Sequence, residues 1–260
     1  MSKSDRVFYL ILSIIGFYFL AFLVLGITSS YLEHYQYYLA TNLIKLSFLV
    51  LIWFYIKILH TKINGINWQE YFSIRILDIP KFFLGMIIPI VFTIVTLIIL
   101  KLTNSNLDFT LSNSKTFLEL LINNFLISIS EELFYRCFIF ISLLKIMKGV
   151  FLPALISSIL FTSVHIASIV EGYVLISLIN IFIGGVLLCY LYHLTNSIWT
   201  SIGFHTANNT LSHVILYPKQ IHDYAYINSL VLYTCLLGTF LIIIFLFVNN
   251  RIKSNLTQTN

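Results

Sequence analysis

An all-α bundle of membrane-spanning helices is the fold class this sequence predicts, and three observations carry the prediction. The 260 residues are 59% hydrophobic and only 10% charged, with mean hydropathy +0.94. That composition cannot cover a water-facing surface; it belongs to chains whose solvent is lipid. The apolar residues come in continuous runs of about 20, the length a helix needs to cross a bilayer, and not in the short alternating strands of a barrel. The cationic residues gather in every second loop, as the positive-inside bias requires of a chain that crosses repeatedly.

About eight spans follow: residues 7–28, 38–59, 82–100, 117–144, 150–169, 174–192, 198–216 and 227–248. With the N-terminus inside, the cytoplasmic segments hold Lys3, Arg6, Lys57, Lys62, Arg75, Lys81, Lys145, Lys148, Arg251 and Lys253, and the outer ones only Lys101, Lys115 and Lys219. This ten-to-three ratio puts both termini in the cytoplasm. The net charge of +5 therefore reports loop topology and not nucleic-acid binding.

The first run is too long for a signal peptide and lacks a small-residue cleavage site, so it is a retained span. The second contains an isolated cation, Lys45, expected to snorkel or to meet a polar cavity. In the loop 61–81, Trp68, Tyr71, Phe72, Ile76 and Ile79 recur at helical spacing behind a capping Asn67. They read as a short interfacial helix, with an irregular loop carrying stray aromatics as the alternative. Pro80 and Pro89 flank or kink the entry to the third span. Gly184-Gly185 in the sixth is a place where a neighbouring helix can come close. Cys137, Cys189 and Cys235 lie in apolar runs without metal-type spacing and read as packing residues. The chain divides into residues 1–116, three spans and the interfacial loop; 117–216, the polar-bearing core; and 217–260, the last span and a polar tail.

The fourth span carries Ser130-Glu131-Glu132-Leu133-Phe134-Tyr135-Arg136. An ionised group near the centre of a membrane helix costs roughly 2.5–3.5 kcal/mol on insertion scales. Such groups persist only where they pair, face a wet cavity or do chemistry. Glu132 and Arg136 are four apart, share a helix face and can pair. Glu131 is rotated by about 100° and is left for another task. The fifth span carries Phe161 and His165, and the seventh His205 with Asn209 one turn on, Asn208 pointing off that face. Along the estimated spans, Glu131, His165 and His205 lie at overlapping depths, which fits one shared intramembrane cavity. His34, His60, His193 and His222 fall at span ends or in loops, and His213 lies two turns beyond His205.

Glu-Glu-x-x-x-Arg on one span, Phe-x-x-x-His on the next and His-x-x-x-Asn two spans later resemble the CPBP family, the CAAX-protease and bacteriocin-processing (Abi) intramembrane proteases. The resemblance spans about residues 117–216, and Glu131, Glu132, Arg136, Phe161, His165, His205 and Asn209 all match. It implies an intramembrane endopeptidase in which Glu131 activates water and His165 positions or deprotonates that water. His205 and Asn209 would stabilise the oxyanion, while Glu132 and Arg136 hold the helix and orient Glu131. Peptide hydrolysis without a nucleophilic side chain needs such a base and such donors. Glu131, His165 and His205 could also supply three ligands to zinc. The zinc-protease pattern His-Glu-x-x-His is absent, and a metal-free hydrolase fits the same residues.

The expected partners are the lipid bilayer and a membrane-associated peptide or protein, with a peptide exporter or sensor kinase as further candidates and no nucleic acid. The richness in Ile, Phe, Tyr, Asn and Lys suggests an AT-rich bacterial gene, hence a multi-pass protein of the cytoplasmic membrane. In a bacterium a leader or signalling peptide is a more plausible substrate than a prenylated cysteine. The alternative function is a non-catalytic immunity protein or a regulator of a sensor kinase. A transporter would call for broken helices and duplicated halves, and neither is seen.

Overall fold

A computed structural model describes residues 3–27, 38–59, 78–103, 114–166, 174–215 and 224–257. Among them the chain is almost entirely helical, without strands. The elements are α1 (Lys3–Ile27), α2 (Tyr38–Leu59), α3 (Ile79–Thr103), α4 (Ser114–Glu132), a π-helical stretch (Leu133–Phe140), α5 (Ile141–Ile146), α6 (Phe151–Ser163), α7 (Val174–Thr195), α8 (Ile198–Ile215) and α9 (Tyr224–Thr257). α4, the π stretch and α5 run on as one rod, so these elements follow the eight expected spans in order. Among the described residues, three segments, Ile79–Thr103, Leu175–Thr195 and Asn228–Val248, are individually long and apolar enough to cross a membrane. The fold is an all-α membrane bundle.

The rod through α4 is the axis of the bundle. All eight side chains of Leu133–Phe140 are buried, a helix apolar on every side and surrounded by others. α2, α6, α7 and α8 pack around it. The outer helices show the reverse of a soluble protein. On α1, Phe8, Ile11, Leu12, Ile15 and Phe19 are exposed while Ser13 is buried. Such a surface is an aggregation liability in water and an ordinary one in lipid.

Where helices pack without a hydrophobic driving force, close backbone approach takes over, and glycine permits it. α3 and α8 cross at Gly85 and Gly203. A methyl group on Gly203 would collide with the Phe82 carbonyl, and one on Gly85 with the Thr200 carbonyl. The expected close-packing pair is only half as expected. Gly185 lies against Ser158 and Phe161 of α6, but a Cβ on Gly184 would meet nothing within 4 Å.

Three features depart from simple α-helical spans. The first is the π stretch, in which the Ile141 amide reaches back to Arg136 O. The second is the end of α6. The expected span reaches residue 169, yet the helix stops at Ser163 and His165 stands on the turn that follows. Local side chains explain the stop. Thr162 Oγ donates to Ser158 O at 2.8 Å and Ser163 Oγ to Leu160 O at 2.7 Å, competing with the backbone ladder. From α1, the Tyr18 hydroxyl donates to the same Leu160 O at 2.6 Å. The third is Lys45, which donates to Asn123 Oδ1 of α4 at 2.6 Å and so meets a polar partner inside the bundle. The expected interfacial helix lies outside the described residues apart from its last four; there Lys81 pairs with Asp78 at 3.1 Å. His34, His60, His222 and the side chain of His213 also lie outside them. His193 is exposed in the last turn of α7.

Candidate active site

Three elements deliver the polar residues to one place. The end of α4 and the π stretch bring Glu131, Glu132 and Arg136, the turn after α6 brings His165, and the middle of α8 brings His205, with Asn209 one turn further along α8. The interior of the site is an ion cluster. Arg136 Nη1 donates to Glu132 Oε1 at 2.8 Å, with both side chains 0% exposed, so the expected i,i+4 pair forms even across the start of the π stretch. His205 Nδ1 donates to the same Oε1, also at 2.8 Å. Arg136 Nη2 reaches Gly185 O of α7 at 3.4 Å, and its guanidinium lies 4.4 Å from the centre of the Phe161 ring. A desolvated guanidinium over an aromatic face gains about 2 kcal/mol, which helps offset the cost of burying it.

Phe161 is the hub of this arrangement. Its ring meets that of His165 at 4.8 Å, His205 edge-on at 5.6 Å and Tyr135 edge-on at 5.2 Å. One apolar side chain thus sets the spacing of the two imidazoles and shields the guanidinium. Ser157 Oγ, one turn before it on α6, donates to Tyr135 O at 2.9 Å and fixes α6 to the π stretch.

The outer part of the site is more open. Glu131 and His165 side chains are 22% and 26% exposed, against 5% for His205. Glu131 Oε2 stands 3.5 Å from His205 Nε2, and Glu131 Oε1 4.0 Å from His165 Nε2. Both are long for a direct hydrogen bond and leave room for a bridged one. The proton positions follow from the other ring nitrogens. His205 Nδ1 faces a carboxylate and His165 Nδ1 faces Phe161 O at 2.9 Å, both acceptors only, so both Nδ1 atoms carry hydrogen. The two Nε2 atoms and the Glu131 carboxylate are turned toward one space.

Sequence spacing foresaw Glu131 as the carboxylate outside the Glu132–Arg136 pair. It did not foresee that Glu132 holds His205, because spacing along one helix carries no information about a partner 73 residues away. Asn208 does turn away from the His205 face, toward α9, where it accepts from the Tyr233 hydroxyl at 2.7 Å. Ser157, Tyr18 and Tyr233 carried no motif. A Ser pair in an apolar helix is the one signal that could have drawn notice to α6.

The zinc alternative has a geometric test. One nitrogen of each imidazole is already committed, leaving the two Nε2 atoms and Glu131. Among the described residues, no group of three His, Cys, Asp or Glu is gathered in a way that could hold a metal ion.

Residues 113–211 match the family model described as Type II CAAX prenyl endopeptidase Rce1-like. The matched stretch contains all seven motif residues and excludes α1, α2, α3 and α9. A search of the curated proteins finds no match.

Proposed function

The core of this chain, residues 113–211, belongs to the CPBP/CAAX protease family, and from that premise we propose an intramembrane endopeptidase in which Glu131 activates the attacking water. The observation that carries the proposal is the placing of the partly open Glu131 carboxylate 3.5 Å and 4.0 Å from two imidazole nitrogens, above a fully buried ion cluster.

In this reading a water sits between Glu131 and His165. Glu131 takes its proton as hydroxide attacks the scissile carbonyl, and His165 holds the water on line. The oxyanion accepts from Asn209 and from His205 Nε2–H. In this reading His205 carries protons on both nitrogens throughout, with Nδ1–H on Glu132. Two carboxylates facing one imidazolium and one guanidinium sum to zero charge, the form a low-dielectric interior tolerates best. Glu131 passes its proton to the leaving amine, which closes the cycle. Glu132 and Arg136 touch no reacting atom; they hold the imidazole that does. No metal enters any of these steps.

The substrate is a membrane-associated peptide or protein terminus reaching the site from the cytoplasmic leaflet of a bacterial membrane. A leader or signalling peptide and a prenylated CAAX-type terminus are the two substrate classes to compare. Purified protein in lipid nanodiscs should cleave at least one member of a panel of internally quenched peptides, prenylated and unprenylated, and should do so in chelator without stoichiometric metal. Cleavage abolished by chelator and restored by zinc would replace this mechanism with a metal-dependent one. No cleavage by the wild type, together with full complementation of a deletion by both Glu131→Gln and His205→Ala, would point to the immunity or regulatory role.

A further inference from the structure

Asn209 carries half of the proposed oxyanion site, yet an amide has two unlike ends. A half-turn of its terminal torsion presents a carbonyl where an N–H is needed, which would repel the oxyanion. Something must set its polarity, and the structure offers a relay that comes from outside the segment matched to the family. The Tyr233 hydroxyl of α9 donates to Asn208 Oδ1 at 2.7 Å. That engages the carbonyl end of Asn208 and leaves its Nδ2 to donate to Asn209 Oδ1 at 3.5 Å, a long contact. With its own carbonyl turned toward Asn208, the Asn209 amide has its nitrogen on the opposite side, the polarity the proposed oxyanion role needs. The relay starts from a firm anchor. Tyr233 is 3% exposed, and its ring packs edge-on 6.4 Å from Phe92 of α3. Ser212 Oγ donates to Asn208 O at 2.7 Å and steadies the backbone behind it.

We propose that Tyr233, acting through Asn208, is a positioning residue that orients the Asn209 amide for the cleavage step. The inference rests on the endopeptidase reading given above. It gives α9 a part in the chemistry, although α9 presents no motif and lies beyond the family match.

The test is a double-mutant cycle on the best-cleaved peptide of the quenched panel, with all proteins in the same nanodiscs. Tyr233→Phe keeps the ring and removes only the hydroxyl. It should lower kcat about five- to tenfold, the worth of one lost hydrogen bond, and leave KM within about twofold. On an Asn209→Ala background the same change should have no further effect, since nothing remains to be oriented. A purely structural role would instead reduce both backgrounds alike, and that result overturns the inference. So does wild-type kcat in Tyr233→Phe while Asn209→Ala is crippled, an outcome that leaves the oxyanion role standing. An Asn209→Ala protein as active as the wild type removes the oxyanion role and this inference together. Should Tyr233→Phe fail to fold, Asn208→Leu breaks the same relay from its middle and is read by the same cycle.

Discussion

Glu132 Oε1 accepts from both Arg136 and His205 at 2.8 Å, so this one atom joins the ion pair to the reaction site. Removing Arg136 leaves a buried carboxylate without its guanidinium. Arg136→Ala should cost about 3–5 kcal/mol and appear as a lower thermal midpoint and lower protein level in membranes. Arg136→Lys should rescue little, because an ammonium can neither fork to Glu132 and Gly185 nor lie flat on Phe161. Asn209→Ala should differ in kind, with normal levels and cleavage reduced by about 10²–10³, the usual loss for one oxyanion donor. At this scale the sequence was informative for a physical reason. Ionised and amide groups in apolar runs are costly, so Glu131, Glu132, Arg136, His205 and Asn209 stood out against their surroundings. The bonds between helices were not legible. Neither Glu132 to His205 nor Tyr233 to Asn208 leaves a periodic trace, and Asn208, expected to be a bystander, turns out to be bonded between Tyr233 and Asn209.

The elements themselves were legible to within a few residues at most ends, since hydrophobic length alone sets a span. What escaped was their internal geometry. An eight-residue π stretch has the same composition as an α-helix, and the early stop of α6 depends on hydroxyls that bond back onto their own carbonyls. That stop places His165 on a turn, and Tyr18 secures the turn from α1 through Leu160 O. Tyr18→Phe should cost about 1 kcal/mol, read from thermal unfolding. Glycine contacts were equally hidden, because which glycine meets a backbone depends on which helix crosses there. Gly203→Ala should lower stability by about 1–3 kcal/mol through the clash with Phe82 O, whereas Gly184→Ala should be silent in the same melt.

For the whole molecule, the excess of Lys and Arg on alternate loops predicts that both termini are cytoplasmic. Reporter fusions at the C-terminus and at Ser112 should then report opposite sides of the membrane; the same side for both would break the eight-span arrangement between them. In the bundle the turn after α6 and the middle of α8 meet the end of α4. Around that meeting point the bundle is built in two shells, a buried one of Glu132, Arg136, Phe161 and His205 and an open one of Glu131 and His165. The central claim is that the open carboxylate is the base. Glu131→Gln preserves the shape of that side chain and removes its basicity. The most direct measurement is therefore the cleavage rate of the best quenched peptide by purified Glu131→Gln in nanodiscs, alongside wild type of equal thermal midpoint. The account predicts no detectable turnover by the variant; turnover near the wild-type rate would contradict it.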